Sequence, residues 1–243
     1  MNKNIRGIFF DLYGTLFIFK DIEKSWAAWA IKYYELIKGK TNMSFEDFSK
    51  SAEGIMDRKV IKDIESGLTT YETRIKDHCS GLSISLTRPE IKRIADETPL
   101  AWQKYASIPE DAVKTLKTLK KYKILALITI YDHAPHVRRT LSSFDLEKYF
   151  DCIVISDEVG CVKPDKRIFE IALEKTNLKP GEVLFVGDNP KDDIGGAQNA
   201  GITPILILYD IMSGYKETYN LEKDFTIPDV QTIHSLKELM AYI

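Results

Sequence analysis

The chain has 243 residues, of which 44% are hydrophobic and 29% charged, with a formal net charge of −2. That length suits one large domain or two modest ones with ample material for a core. The lack of a basic excess argues against a nucleic-acid binder, and no run approaches the ~20 apolar residues of a membrane helix.

The first apolar run, Ile5–Phe10, ends abruptly in Asp11, followed by Leu-Tyr-Gly-Thr15. A carboxylate closing a buried strand is costly unless it is hydrogen-bonded or held by a cation. Gly14 permits a sharp turn there, and the backbone amides it exposes suit an anion. From about Ile18 to Asp96 no convincing strand occurs. Trp26, Trp29, Ala30, Tyr33, Tyr34 and Ile37 fall at helical spacing and read as one packed face. Ser44 and Thr87, each with an acid three residues on (Asp47 and Glu90), mark helix starts.

Later in the chain, strand-like runs recur at Ile124–Ile130, Cys152–Ile155, Val183–Val186 and Pro204–Leu208. Helical patterns lie between them, at Pro109–Tyr122, Asp165–Thr176 and Asp193–Ala200. Such alternation predicts a doubly wound, Rossmann-like α/β core with a parallel sheet. The expected core is residues 1–16 and 97–243, with 17–96 inserted as a helical cap. The tail from Asp224 reads as a last short strand and a closing helix, with His234 at the helix start or on the surface. Cys79, Cys152 and Cys161 have no paired or metal-ligand spacing and read as core thiols in a reducing compartment. Asp11 and Gly14 break the N-terminal apolar run, so no signal peptide is expected and the expected location is cytoplasmic.

In an open parallel sheet, ligands bind beyond the carboxyl ends of the strands. Thr129 closes the second core strand, where its hydroxyl could cap a turn or hold a ligand. Lys163 precedes Pro164 close to a helix start, where the helix dipole disfavours a cation, hinting at a nearby anion. Asp188, Asp192 and Asp193 crowd within six residues after the strand Val183–Val186. Acids so close repel unless a cation is shared, and carboxylate oxygens suit Mg2+.

Together these residues resemble the haloacid dehalogenase (HAD) superfamily, whose four motifs occur in order as Asp11-x-x-Gly14-Thr15, Thr129, Lys163-Pro164 and Gly187-Asp188-x4-Asp193. The resemblance covers the core, while the cap matches in position and type only. It implies a Mg2+-dependent hydrolase, a phosphatase acting on a small phosphorylated metabolite, with no nucleic-acid or membrane partner. Asp11 would be the nucleophile and form an aspartyl-phosphate. Thr129 and Lys163 would bind the transferring group, with Gly14, Thr15, Ile130 and Asn189 around the phosphate. Asp11, Asp188 and Asp193 would hold the metal, together with the backbone carbonyl of Tyr13.

Tyr13 departs from the phosphatase pattern, in which a second aspartate protonates the leaving alcohol. The resemblance therefore leaves three readings open. One is a phosphatase whose substrate leaves without a proton, or whose proton comes from Tyr13, Asp132, His133 or the cap. A second is a metal-independent 2-haloacid dehalogenase, a branch that also carries Asp-x-Tyr-Gly-Thr but typically has serine at the Asp188 position. That branch needs an arginine about thirty residues past the nucleophile, and here none lies between Arg6 and Arg58. The third is a weakly active regulatory protein that binds metal and phosphate. Arg58 and Arg74 could reach an anionic substrate, although the surface is the expected place for both. Trp26, Trp29 and Tyr33 are expected in the cap core.

Overall fold

β1 (Gly7–Phe10) is buried at every residue, which requires cover on both of its faces and a neighbour on each edge. The structure, a computed structural model, describes residues 4–60, 65–209 and 229–242. In chain order follow β2 (Ile18–Phe19), β3 (Ala106–Ser107), β4 (Ile124–Thr129), β5 (Cys152–Ile155), β6 (Val183–Gly187), β7 (Thr203–Ile207) and β8 (Thr232–Ile233). Six of them form one parallel sheet in the order β5-β4-β1-β6-β7-β8. β1 lies at its centre, with Phe10 in register with Leu127 of β4 on one side and Val186 of β6 on the other. The chain runs outward from β1 through β4 to β5, then returns to β6 on the other edge of β1. The β1–β6 boundary is therefore a switch point, where strand ends open a crevice.

The chain divides into two units: residues 1–20, 107–130 and 141–243, and residues 21–106 and 131–140. In the first, Phe9, Ile128, Val154, Phe169 and Phe185 join one buried cluster beneath the helix Lys166–Thr176. The second is helical, with α1 (Ile22–Ile37), α2 (Phe45–Ala52), α3 (Thr70–Gly81) and α4 (Arg88–Gln103). α1 packs along α4, and Trp29, Tyr33, Ile37, Phe48, Ile75 and Ile94 form its core. Ser44 caps α2, and Thr69 with Glu72 and Thr87 with Glu90 form capping boxes on α3 and α4.

Three boundaries differ from the sequence expectation. β2 lies inside the interval read as strand-free and pairs with β3 in a two-stranded ribbon, too short to show a period of two. α4 runs without a break through position 97 and past an internal proline, Pro99. The stretch 131–140 packs with the helical unit, although its flanks belong to the other. It opens a helix, Ala134–Ser143, with Pro135 in the first turn where its missing N–H costs nothing. The closing strand and helical turn lie at Thr232–Ile233 and Leu236–Ala241, and the expected tail before Asp229 falls outside the described residues. Among the described residues no helix is long and apolar enough to cross a membrane.

Candidate active site

Asp11, Thr129 and Asp188 each stand at or just past the carboxyl end of a strand, β1, β4 and β6. Because these strands are adjacent and in register, residues far apart in the chain meet at one edge. Lys163, from the loop ahead of the helix Lys166–Thr176, completes the group. Its Nζ donates to Asp11 Oδ1 and to Asp193 Oδ1, each at 2.5 Å, and to the Ile128 carbonyl at 3.3 Å. Oxygens of Asp11, Asp188 and Asp193 all lie within 4.8 Å of one another. Lys163 is 4% exposed, Asp11 6%, and Asp188 and Asp193 1% each. Lys163 is therefore buried, and the anions near it are the carboxylates of Asp11 and Asp193.

Two glycines make this crowding possible. Gly14 has φ +95°, and a Cβ there would come within 1.9 Å of Asp188 Oδ2. At Gly187 a Cβ would lie 2.4 Å from the Asp193 carboxyl carbon. Any side chain at either position would push a carboxylate out of the cluster. Asp193 is held from behind, since its Oδ2 accepts the backbone N–H groups of Asp188 and Asn189 at 3.1 and 3.0 Å. The Asn189 side chain faces the following helical turn instead, accepting the N–H groups of Lys191 and Asp192 at 2.9 Å each. Asn189 thus shapes the turn that carries Asp193.

Three acids around one ammonium leave excess negative charge in a dry place. Burial pushes the Asp11 carboxyl up to about 7; Lys163 opposes the rise and Asp193 adds to it. Asp188 is also pushed well above the ordinary carboxylate range, by burial first and then by Asp11 and Asp193. Burial works against the charged form of Lys163, yet the two carboxylates raise its pKa above the ordinary lysine value. An added hard cation would relieve this imbalance, and carboxylate oxygens are the donors such a cation prefers.

Thr129, Ile130, Asn189 and Asp192 line a cavity of about 130 Å3 together with Tyr13 and the cluster. Neither Gly14 nor Thr15 lines it, although the sequence places both around the phosphate; Thr15 is fully buried, with its hydroxyl 3.5 Å from Asp188 Oδ1. The Tyr13 ring is half-buried among other rings of its loop, with centroids 5.8 Å from Phe17 and 6.0 Å from Phe19. One contributor escapes the motif pattern: Tyr209, after β7, donates its hydroxyl to the Thr15 carbonyl at 2.8 Å. Its place directly after the apolar run Pro204–Leu208, like that of Asp11 after Ile5–Phe10, is the signal for it in the sequence.

Asp132 and His133 do not line this cavity. They belong to the helical unit, where His133 is fully buried with Nδ1 3.0 Å from Thr69 Oγ1 and Nε2 3.3 Å from Asp96 Oδ1. Asp132 accepts from Arg74 Nε at 2.7 Å. Arg74 is buried rather than superficial, and also donates to the carbonyls of Ile55 and Arg58. Arg58 is exposed and donates to the carbonyls of Ser51 and Glu53. Trp29 and Tyr33 are core residues, whereas Trp26 is 42% exposed.

The sequence profile of the haloacid dehalogenase-like hydrolases matches residues 5–201. The chain belongs to that family. It is an enzyme of the HAD superfamily, with the six-stranded Rossmann-like sheet of those hydrolases. The N-acylneuraminate-9-phosphatase of Rattus norvegicus is 27% identical over 209 residues, covering 82% of this chain and 81% of the relative. The glyceraldehyde 3-phosphate phosphatase of Methanothermobacter thermautotrophicus is 36% identical over 96 residues, 39% of this chain. That alignment spans only 42% of the relative's own length. The crystal structure of a HAD phosphatase from Thermococcus onnurineus superposes with a TM-score of 0.66 at 20% identity, covering 98% of this chain and 97% of the other.

Proposed function

We propose that this HAD hydrolase is a Mg2+-dependent phosphatase that acts on a small phosphorylated metabolite through an aspartyl-phosphate at Asp11. The observation that carries this reading is the buried cluster of Asp11, Asp188 and Asp193 around Lys163. The phosphatase names of the relatives support it. The donor set fits a divalent cation, which the carboxylates of Asp11, Asp188 and Asp193 and the Tyr13 carbonyl would hold. When bound, such a cation offsets the repulsion between an anionic nucleophile and an anionic phosphate.

The other roles belong to the chain's own groups. An Asp11 oxygen attacks phosphorus as the ester P–O bond breaks, and the leaving oxygen departs with the bonding pair. Water then attacks phosphorus of the acyl phosphate, releasing inorganic phosphate and restoring the carboxylate. Lys163 neutralises charge on Asp11 and on the transferring group, and the Thr129 hydroxyl with the Ile130 backbone holds phosphate oxygens. Gly14 and Thr15 keep their loop close to Asp188, and Asn189 orients Asp193.

Tyr13 sets the substrate class. A phenol with a reference pKa of about 10 is a poor general acid at neutral pH. Substrates whose leaving group needs no proton, aryl or acyl phosphates, are therefore favoured over alkyl phosphates. The test is a panel of p-nitrophenyl phosphate, acetyl phosphate and alkyl phosphates, with Mg2+ and with chelator, on wild type and Tyr13→Asp. Metal-dependent release from the first two substrates is expected, together with a rise of roughly 10²-fold or more on alkyl phosphates in the variant. Halide release from 2-haloacids that survives chelation would replace this reading with the dehalogenase one, which Tyr13 and Asn189 favour.

A further inference from the structure

The helical unit contains a cavity of about 520 Å3 that shares no residue with the carboxylate cluster. That volume falls in the ~300–1,000 Å3 range of small-ligand sites. Trp26 and Trp29 of α1, Phe45 of α2 and Met56 form its apolar walls, and the charged residues of its lining are Glu53 and Asp57.

Helical spacing assigns Trp26 to a packed face, yet Trp26 is 42% exposed and Phe45 41%. Two large rings on neighbouring helices thus keep apolar area in water. The wall they make is fixed in place. The Trp26 ring stands 5.9 Å from Trp29 at 81° and 5.9 Å from Trp102 at 52°. The indole N–H of Trp29 is already donated to the Tyr71 hydroxyl at 2.7 Å, so what Trp29 has to offer a ligand is ring surface.

Charge decides what kind of ligand suits this wall. Among the described residues, neither Glu53 nor Asp57 takes part in an ion pair with a lysine or arginine. The guanidinium of Arg58 donates to the carbonyls of Ser51 and Glu53 and lines, with Lys59 and Arg74, a neighbouring cavity of about 320 Å3 that meets this one at Ile55. An anion would be repelled by the two carboxylates. A bare metal ion needs six or more oxygen donors and gains little from indole faces. A neutral apolar molecule would fill the space but leave the carboxylates idle. A cation wrapped in methyl or methylene groups uses both, since aromatic faces attract positive charge and tryptophan does so best.

We propose that this cavity binds a small organic cation, a quaternary ammonium or a protonated amine with an apolar shell. The test is calorimetric titration of the full chain with benzyltrimethylammonium, beside its neutral carbon isostere neopentylbenzene at matched cosolvent, with tryptophan fluorescence as a second readout. Saturable binding is expected, at least tenfold tighter for the cation than for the isostere. Trp26→Ala and the double variant Glu53→Gln/Asp57→Asn should each weaken it at least tenfold. Both changes lie at partly or fully exposed positions, and an unchanged circular dichroism spectrum certifies the fold. Equal affinity for the neutral isostere, undiminished binding in the double variant, or no binding in the wild type at tens of millimolar cation would each overturn the proposal. Phosphatase activity is no part of the readout, so this result stands or falls independently of the proposed reaction.

Discussion

In the helical unit, several buried polar groups are matched one to another. Trp29 donates to the Tyr71 hydroxyl, which lies 2.6 Å from Thr98 Oγ1; Tyr33 sits 3.2 Å from His78 Nδ1, and His78 Nε2 3.1 Å from Ser51 Oγ. Even the Arg74 guanidinium has its carboxylate, Asp132, and two carbonyls. In the α/β unit, one buried ammonium pairs with two carboxylates, Asp11 and Asp193, and a third, Asp188, crowds beside them. Matched networks of the first kind contribute to folding and specify a core. The second kind cannot be explained by stability, because an unbalanced buried charge costs more than it returns. Strongly perturbed carboxylates in a cleft mark a place where charge is kept for chemistry.

Substitutions should separate the two units. The largest effect is expected from Asp11→Asn, with turnover of p-nitrophenyl phosphate falling by about 10⁴-fold or more, the scale of nucleophile removals, while the thermal midpoint hardly moves. A variant with full activity would end the nucleophile assignment. Lys163→Met should damage both function and fold. It leaves buried carboxylates without their counter-charge, a loss of about 3–5 kcal/mol in urea unfolding. Arg74→Met in the helical unit should cost about 2 kcal/mol, intermediate between exposed and buried pairs because Asp132 is partly exposed, and should leave kcat for a bound aryl phosphate within a few-fold. If Arg74→Met instead abolished turnover with no stability loss, the contrast between a structural and a chemical unit would fail.

Acidity should act on the two units with opposite sign. Burial holds His78, His133 and His136 below the ordinary histidine value, His136 at about 3. Below the unfolded value of about 6.5, the unfolded chain then binds more protons than the folded one. Stability from these neutral histidines is complete above about pH 6.5 and is lost as pH falls toward the folded values. Asp11 is raised instead, so without metal its contribution is lost as pH rises from about 4 to about 7, and Asp188, also raised, adds a loss of the same sign. Hydrogen exchange corrected for intrinsic rates should show α3 and α4 losing protection between pH 7 and pH 5 while β1 and β6 gain it. The same direction in both units would contradict the assignment. The smallest change is expected from Tyr209→Phe, which removes one hydrogen bond to the Thr15 carbonyl and should cost about 1 kcal/mol, or a several-fold drop in kcat.

Much of the α/β unit could be read locally. Buried strands announce themselves as apolar runs; Asp11, Thr129 and Asp188 stand out because they close or follow such runs, Asp193 because it crowds near Asp188, and Lys163 because a cation stands at a helix start. Helix starts at Ser44 and Thr87 are equally readable, since a hydroxyl cap with an acid three residues on is written within four residues. The helical unit was harder. Helical spacing put Trp26 and Trp29 on one face, but period alone does not say how wide the buried stripe is, and Trp26 fell outside it. His133 looked available because it follows Thr129 closely. What removed it were Thr69 and Asp96, contributed by α3's cap and by α4.

Sequence alone determined the parallel-sheet class and the apolar strand ending in Asp11, because apolar runs and their alternation with helical patterns are written within a few residues. Tertiary structure alone decided that Lys163 sits between Asp11 and Asp193, that Tyr209 reaches Thr15, that Arg74 is buried against Asp132, and that residues 131–140 pack with the helices. Each of these joins groups separated by tens of residues or more. Such pairings follow from strand register and helix packing, which propensity and periodicity do not encode.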